Sequence, residues 1–267
     1  MTTPVLSDHE FGLLRDWVHA RAGISLSAAK KPLVTSRLLR RLSHHGLHSF
    51  GAYYGLITGG GDNPDTQIAL DLLTTNETYF FREPKHFEFL RERALPARRP
   101  GQPFRVWSAA CSSGEEAWSI AMTLADALGE AWEVTASDLS TRVLAQARNA
   151  QYPLERAEHI PRPQLVRHCL KGIGRQAGTF RVGPALRARV RFLQVNLVDT
   201  LPELGSFDLI FLRNVLIYFD AETKAQVVRR LCGALRPGGH FFCGHAESLH
   251  GMDVPLTGIQ PAVYVRK

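Results

Sequence analysis

The stretch Ser108-Ala109-Ala110-Cys111-Ser112-Ser113-Gly114-Glu115-Glu116 follows an apolar run, Phe104-Arg105-Val106-Trp107, and leads into a helix-like segment from Ala117 to Leu128. A strand, a turn of small residues and a helix start, in that order, bring unpaired backbone N–H groups to a place a ligand can approach. Small side chains from Ala109 to Gly114 clear the space. Glu115 and Glu116 fall in the first helical turn, where they disfavour a phosphate and favour a cationic or hydroxyl-rich ligand. The turn has one glycine where the dinucleotide fingerprint has three, which counts against a pyrophosphate and so against NAD or FAD.

Working outward from this turn, apolar strand candidates at 104–109, 132–136, 190–195, 207–212 and 240–244 alternate with helical stretches at 117–128, 140–150 and 221–235. The alternation predicts an α/β fold with a mostly parallel sheet covered by helices on both faces. A last strand is expected at 262–265, after a long irregular segment over 246–260. The rhythm breaks at 163–189. Two β-like pieces, 179–182 and 187–190, flank Gly172, Gly174 and Gly178 there, which predicts a small antiparallel excursion.

Ahead of the sheet, residues 7–57 read as short helices. Phe11, Leu14, Trp17 and Val18 recur at the spacing of a buried helix face, and Pro32 opens a second run. Residues 59–65, GGGDNPD, form the clearest loop. The 267-residue chain carries a formal charge of +7. Residues 1–60 hold seven basic side chains against three acidic ones, a net of +4. The excess is thus concentrated in the helical module, either as a solvated face or as a surface for an acidic partner.

Four cysteines without CxxC spacing read as free thiols in a reducing compartment, and His44, His45 and His48 read as surface histidines rather than metal ligands. No metal site is expected. The sequence lacks an apolar run of membrane-spanning length, a secretory pattern at its N-terminus and a nucleic-acid-binding motif. The expectation is a soluble, cytoplasmic protein with no nucleic-acid partner and no membrane insertion.

In open α/β sheets, ligands bind at the carboxyl ends of strands where strand order reverses. Four pieces should meet there: the turn 109–116, Asp138 after the second strand, Asn196-Leu197 after the third, and Arg213-Asn214 after the fourth. An acid at Asp138 suits ribose hydroxyls, although it also reads as a helix N-cap. Asn196 and Leu197 suit the edge and face of an adenine. An adenosine ligand without phosphate fits, and S-adenosylmethionine is such a ligand.

Four segments then go further: TNETYFFRE (75–83), SAACSSGEE (108–116), FLRNVLIYF (211–219) and GHAES (244–248). Together, and in this order, they resemble the CheR family of chemotaxis receptor methyltransferases, through nearly the whole chain. The resemblance implies a Rossmann-like class I S-adenosylmethionine-dependent methyltransferase sheet with a small antiparallel β-subdomain at about 163–190, preceded by an all-α N-terminal domain. The implied domains are a receptor-docking one over 1–72 and a methyltransferase one over 73–267. The implied activity is methylation of glutamate side chains on bacterial chemoreceptors, with S-adenosylhomocysteine as by-product.

Carried over by motif position, cofactor contacts fall on Asn76, Thr78, Arg82, Glu116, Asp138, Asn196, Leu197, Arg213 and Asn214, with Tyr218 near the transferring methyl. Lys30, Lys31, Arg37, Arg40 and Arg41 become candidates for steering a glutamate-rich receptor helix. The loop 171–178 looks like the one with which some family members tether to a receptor's C-terminal pentapeptide. Recruitment to membrane receptor arrays and a monomeric state are expected. Departures from the family pattern are Ala117-Trp118 in place of a frequent Pro-Tyr, Ser113 in place of a threonine and Ala246 in place of a serine; Trp118 is expected to alter local packing. Two rival readings stay open: a methyltransferase acting on RNA or a small molecule, and a scaffold that binds ligand or receptor without turnover.

Overall fold

The computed structural model describes residues 4–61 and 63–267. Residues 1–3, and Asp62 of the expected 59–65 loop, lie outside the described residues. Four helices come first: α1 (Asp8–Ala22), α2 (Lys31–His44), α3 (Phe50–Thr58) and α4 (Pro64–Leu73). A reciprocal Ser7–Glu10 capping box starts α1, and Gly23 in the left-handed region (φ 69) ends it. A Cβ at Gly23 would lie 2.7 Å from Val198 and 2.8 Å from Thr223, so glycine also permits close approach to the sheet domain. Leu14, Val18, Val34, Leu38, Phe50 and Tyr53 fill the core of this module. Pro64 and Asp65, read from sequence as loop, open α4 instead, because Asn63 caps it and proline at N1 needs no N–H.

Next come α5 (Pro84–Phe89), β1 (Phe104–Ser108), α6 (Glu115–Leu128), β2 (Trp132–Asp138) and α7 (Thr141–Asn149). A subdomain holds β3 (Gln151–Pro153), α8 (Arg162–His168), β4 (Cys169–Lys171) and β5 (Thr179–Val182). The chain then returns through α9 (Pro184–Arg187), β6 (Val190–Gln194), β7 (Phe207–Leu212), α10 (Ala221–Ala234), β8 (Leu235–Cys243), β9 (Leu256–Gln260) and β10 (Val263–Arg266). The large sheet has the order β6-β2-β1-β7-β8-β10-β9. Its first five strands are parallel, and β10 and β9 run antiparallel at one edge.

Side-chain alternation explains the two-faced burial. Val106, Phe211 and Phe242 face one core with Trp118 and Met122 of α6. Their chain neighbours Trp107, Ile210 and Phe241 face the other, with Val227 and Leu231 of α10. Trp118 is buried and packs on Phe192 at a ring separation of 5.3 Å.

Three sequence expectations need correction. The antiparallel excursion opens at Gln151 rather than at 163 and has the order β3-β5-β4, since three-residue strands carry too few side chains to show a period. The piece 187–190 is not a strand: Pro184 opens the short helix α9, and β6 starts only at Val190. The segment 246–260, expected to be irregular, contains β9, an edge strand exposed from its second residue on and therefore without hydrophobic alternation. The four cysteines are free, with Cys111, Cys232 and Cys243 buried.

Candidate active site

Strand order reverses between β1 and β7, and a cleft opens at the carboxyl ends of β1, β2, β6 and β7. Gly114 ends the turn whose Ala109, Ala110 and Ser112 line it. It caps α6 with φ 97, and a Cβ there would stand 2.8 Å from the Ala147 methyl and 3.0 Å from the Tyr152 hydroxyl. The preceding turn is tied to both sides. Ser112 N–H donates to Asp138 Oδ2 at 2.8 Å, and Ser112 Oγ donates to the Asn76 carbonyl at 2.7 Å. Asp138 Oδ1 accepts the Ser140 N–H at 3.0 Å. Burial pushes the Asp138 carboxyl above its ordinary range, and these backbone N–H groups pull against it.

Beside it stands a charged triad. Arg213, 5 % exposed, lies 3.0 Å from Glu83 and 3.0 Å from Glu116, and donates to the Arg82 carbonyl at 2.6 Å. Glu116 also accepts the Ser108 hydroxyl at 2.7 Å. Burial raises the Glu116 carboxyl, against the pull of Arg213. For Glu83 the balance reverses: burial pushes upward, but Arg213 and the His245 N–H outweigh it and hold the carboxyl below its usual range. One guanidinium between two carboxylates leaves an anionic floor when both are ionised, which favours a cation above it. Glu115 serves elsewhere: it is fully buried and accepts from Ser113 Oγ at 2.7 Å and Arg156 at 3.2 Å.

Two side chains that hold the site's residues escaped the sequence assignment although both lay inside the quoted motifs. Glu83 is the last residue of the first motif. Glu247, in GHAES, is buried and accepts N–H groups from Gly244 at 2.6 Å, Asn214 at 2.8 Å and Ile217 at 3.3 Å. It thereby holds the Asn214 loop, where Asn214 itself is left-handed (φ 56). A carboxylate in a motif is the visible signal; which loop it holds is not.

All ten residues assigned to cofactor or methyl line the cleft: Asn76, Thr78, Arg82, Glu116, Asp138, Asn196, Leu197, Arg213, Asn214 and Tyr218. The cleft is open, and the space of about 1190 Å³ between its walls includes solvent at its mouth. Its roof was not anticipated. Ile24, Ser25, Leu26 and Leu33 of the helical module line it as well. The Ser25 N–H donates to the Tyr218 carbonyl at 2.8 Å, and Ile24 bridges to Phe219. Asn196 spends its Nδ2 on the Arg21 carbonyl (2.7 Å) and Asp199 (2.9 Å), so part of its carboxamide serves the domain contact rather than a ligand. Burial raises the half-buried Tyr218 phenol above its usual value, so it keeps its proton at neutral pH.

The five cations assigned to docking divide. Arg41 makes two hydrogen bonds to buried Asp65, at 2.7 and 2.9 Å, and Arg37 donates to the carbonyls of Leu73 (3.2 Å) and Thr74 (2.9 Å) and to Thr75 Oγ1 (3.3 Å). Both guanidinium groups also make internal bonds, Arg41 to a carboxylate and Arg37 only to neutral oxygens. Lys31 pairs with Asp8 at 2.6 Å. Lys30 and Arg40 are exposed, and Lys30 also lines the cleft. His45, read as a solvated histidine, bonds Asp65 at 2.9 Å.

Comparison with known proteins agrees with this geometry. Residues 76–264 match the family model described as CheR methyltransferase, SAM binding domain, and residues 9–74 match CheR methyltransferase, all-alpha domain. A chemotaxis protein methyltransferase of Escherichia coli is 42% identical over 265 residues, covering 97% of this chain and 91% of that protein. One from Salmonella typhimurium is 43% identical over 251 residues, covering 92% of this chain and 86% of its own. Chemotaxis protein methyltransferase 2 of Pseudomonas aeruginosa is 43% identical over 259 residues, covering 96% and 92%.

Proposed function

This chain belongs to the CheR methyltransferase family, and from that premise we propose that it methylates glutamate side chains of chemoreceptors, forming methyl esters. It is an S-adenosylmethionine-dependent methyltransferase of chemotaxis. The observation that supports this reading is a cleft lined by Glu116, Arg213 and Asp138, with Glu83 paired to Arg213 behind it, beside the protonated Tyr218: it suits a sulfonium donor and an acceptor that needs no base. When bound, S-adenosylmethionine supplies a methyl on a sulfonium, which passes to a carboxylate oxygen as the C–S electron pair stays on sulfur.

The chain's own residues have few tasks in this chemistry. A glutamate acceptor has an unperturbed pKa of about 4.3 and is already ionised at neutral pH, so no general base is required. Tyr218, which keeps its proton, is suited to donate a hydrogen bond rather than to remove a proton. Asp138 accepts backbone N–H groups on both oxygens and retains lone pairs for ribose hydroxyls. Arg213 fixes Glu116 and Glu83 rather than reaching a ligand anion, which keeps the floor negative. The roof from Ile24 to Leu26 excludes water, and placement then supplies the rate, up to about 7–11 kcal/mol for well-oriented reactants.

Receptor contact belongs to the same proposal. Lys30 and Arg40 are the exposed docking cations, and Arg37 adds a charge that its bonds to neutral oxygens leave uncancelled. Tethering of a receptor pentapeptide falls to the β4–β5 loop, where Leu170 and Ile173 are 57% and 81% exposed and β4 is an edge strand open to strand addition. Among the described residues no helix is long and apolar enough to cross a membrane. The test is transfer of tritiated methyl from labelled S-adenosylmethionine onto receptor-containing membranes. Base-labile label on receptor is expected. Base-stable label, label in RNA, or cofactor binding without transfer would each overturn the assignment.

A further inference from the structure

A second groove runs beside the cofactor cleft. Thr74, Thr75, Asn76 and Glu77 line both, so one extended stretch of chain divides them. Three arginines also line the groove: Arg37 from α2, Arg142 from the first turn of α7, and Arg156. Their charges are met differently. Arg156 stands 3.2 Å from the fully buried Glu115. Arg37 and Arg142 bond neutral oxygens, Arg142 only the Asn76 carboxamide at 3.5 Å. Such bonds orient a guanidinium without cancelling its charge. Two carboxylates share the groove. Asp71 is buried and accepts the Gln67 amide, the Thr141 hydroxyl and the first two N–H groups of α7, whereas Glu77 is exposed. Arg142 is thus an exposed cation on the sheet domain, facing α2 across a groove that ends at the cleft wall.

We infer that this groove holds the acceptor segment beside the cleft, its glutamate reaching over the stretch 74–77, and that Arg142 is a docking residue for it. The occupant is an acidic, glutamate-bearing receptor helix, and the inference rests on the glutamate-methylating reading above. Charge complementarity selects that occupant: a carboxylate arriving between Arg37 and Arg142 meets the stretch 74–77, with Tyr218 lining the cleft on the other side. Concave walls strengthen such steering relative to open water. Docking of the acceptor segment then involves both domains, whereas the sequence analysis places its steering cations only between residues 30 and 41.

The test compares Arg142→Ala and Arg142→Glu with Arg148→Ala on the same helix, which lies outside the groove. The Asp71 bond uses the backbone N–H of residue 142, which every variant keeps, and a carboxylate in the first turn of α7 suits the helix dipole. The receptor KM should rise about threefold for Arg142→Ala and about tenfold for Arg142→Glu. The salt dependence of kcat/KM should become shallower, S-adenosylhomocysteine affinity should stay within about twofold, and Arg148→Ala should match wild type. Unchanged receptor KM and salt slope in both Arg142 variants would overturn the docking groove, as would a loss of S-adenosylhomocysteine affinity equal to the KM change. Wild-type protein that transfers no methyl to receptor would instead overturn the function itself, and this groove's role with it.

Discussion

Arg213 holds its position through charge rather than contact with solvent. Removing it would leave Glu83 and Glu116 facing each other without their cation, and breaking a buried pair in this way costs about 3–5 kcal/mol. Its role is therefore to make an anionic floor stable enough to exist before a sulfonium arrives. Tyr218 differs, because it is half-buried and its phenol meets the Thr75 hydroxyl rather than a buried ion pair. Tyr218→Phe should lower kcat about tenfold, the loss of one hydrogen bond, while calorimetry finds S-adenosylhomocysteine affinity nearly unchanged. Abolished binding in that variant would make Tyr218 a structural residue. Gly114 sets a harder limit: its φ of 97 and the 2.8 Å approach to Ala147 leave no room for a side chain.

At the scale of elements, helix termini do the joining. Asp71 of α4 caps α7 from another domain, accepting the Thr141 and Arg142 N–H groups at 3.0 and 3.2 Å. That helix begins three residues after Asp138. Asp71→Ala should cost about 2 kcal/mol in urea unfolding, through a lost cap and buried donors left unmet. It should also weaken S-adenosylhomocysteine binding by loosening the chain around Asp138. Full affinity in a measurably destabilised variant would separate the cap from the site.

The N-cap of α10 makes a pH-dependent counterpart. Asp220 accepts the Thr223 N–H at 2.8 Å and meets His19 at 2.7 Å; these bonds lower its carboxyl from 3.8 to about 2. A depressed folded-state pKa means stability that is present above the unfolded value and lost as pH falls toward about 2. Asp220→Asn keeps a capping side chain but removes this titration, so its unfolding free energy should fall less steeply than wild type between about pH 4 and 2. Parallel slopes would show that the pair contributes nothing.

Across the whole molecule, the helical module is a roof over the cleft. Besides Asp71 and His19, Gln67 donates to the Leu139 carbonyl at 3.2 Å, Asn196 to Arg21 and Ser25 to Tyr218. S-adenosylhomocysteine at a hundred times its Kd should therefore stabilise both modules together in one unfolding transition, by about 2.7 kcal/mol. Separate transitions, with only the later one ligand-dependent, would show that the roof does not close on the ligand. The sequence by itself determined the alternating α/β order, the small-residue turn and the residues of four motifs, because periodicity, glycine geometry and residue chemistry act over a few neighbouring positions. It could not separate Arg37 and Arg41 from Arg40, since a cation's role depends on which distant carbonyl or carboxylate lies within about 3 Å. Short strands such as β3 and the exposed β9 were equally hidden, having too little buried surface to impose a pattern. Only the tertiary structure set Glu83 and Glu116 around one arginine and laid the N-terminal helices over the cleft, because those pairings join residues far apart in the chain whose proximity is decided by packing.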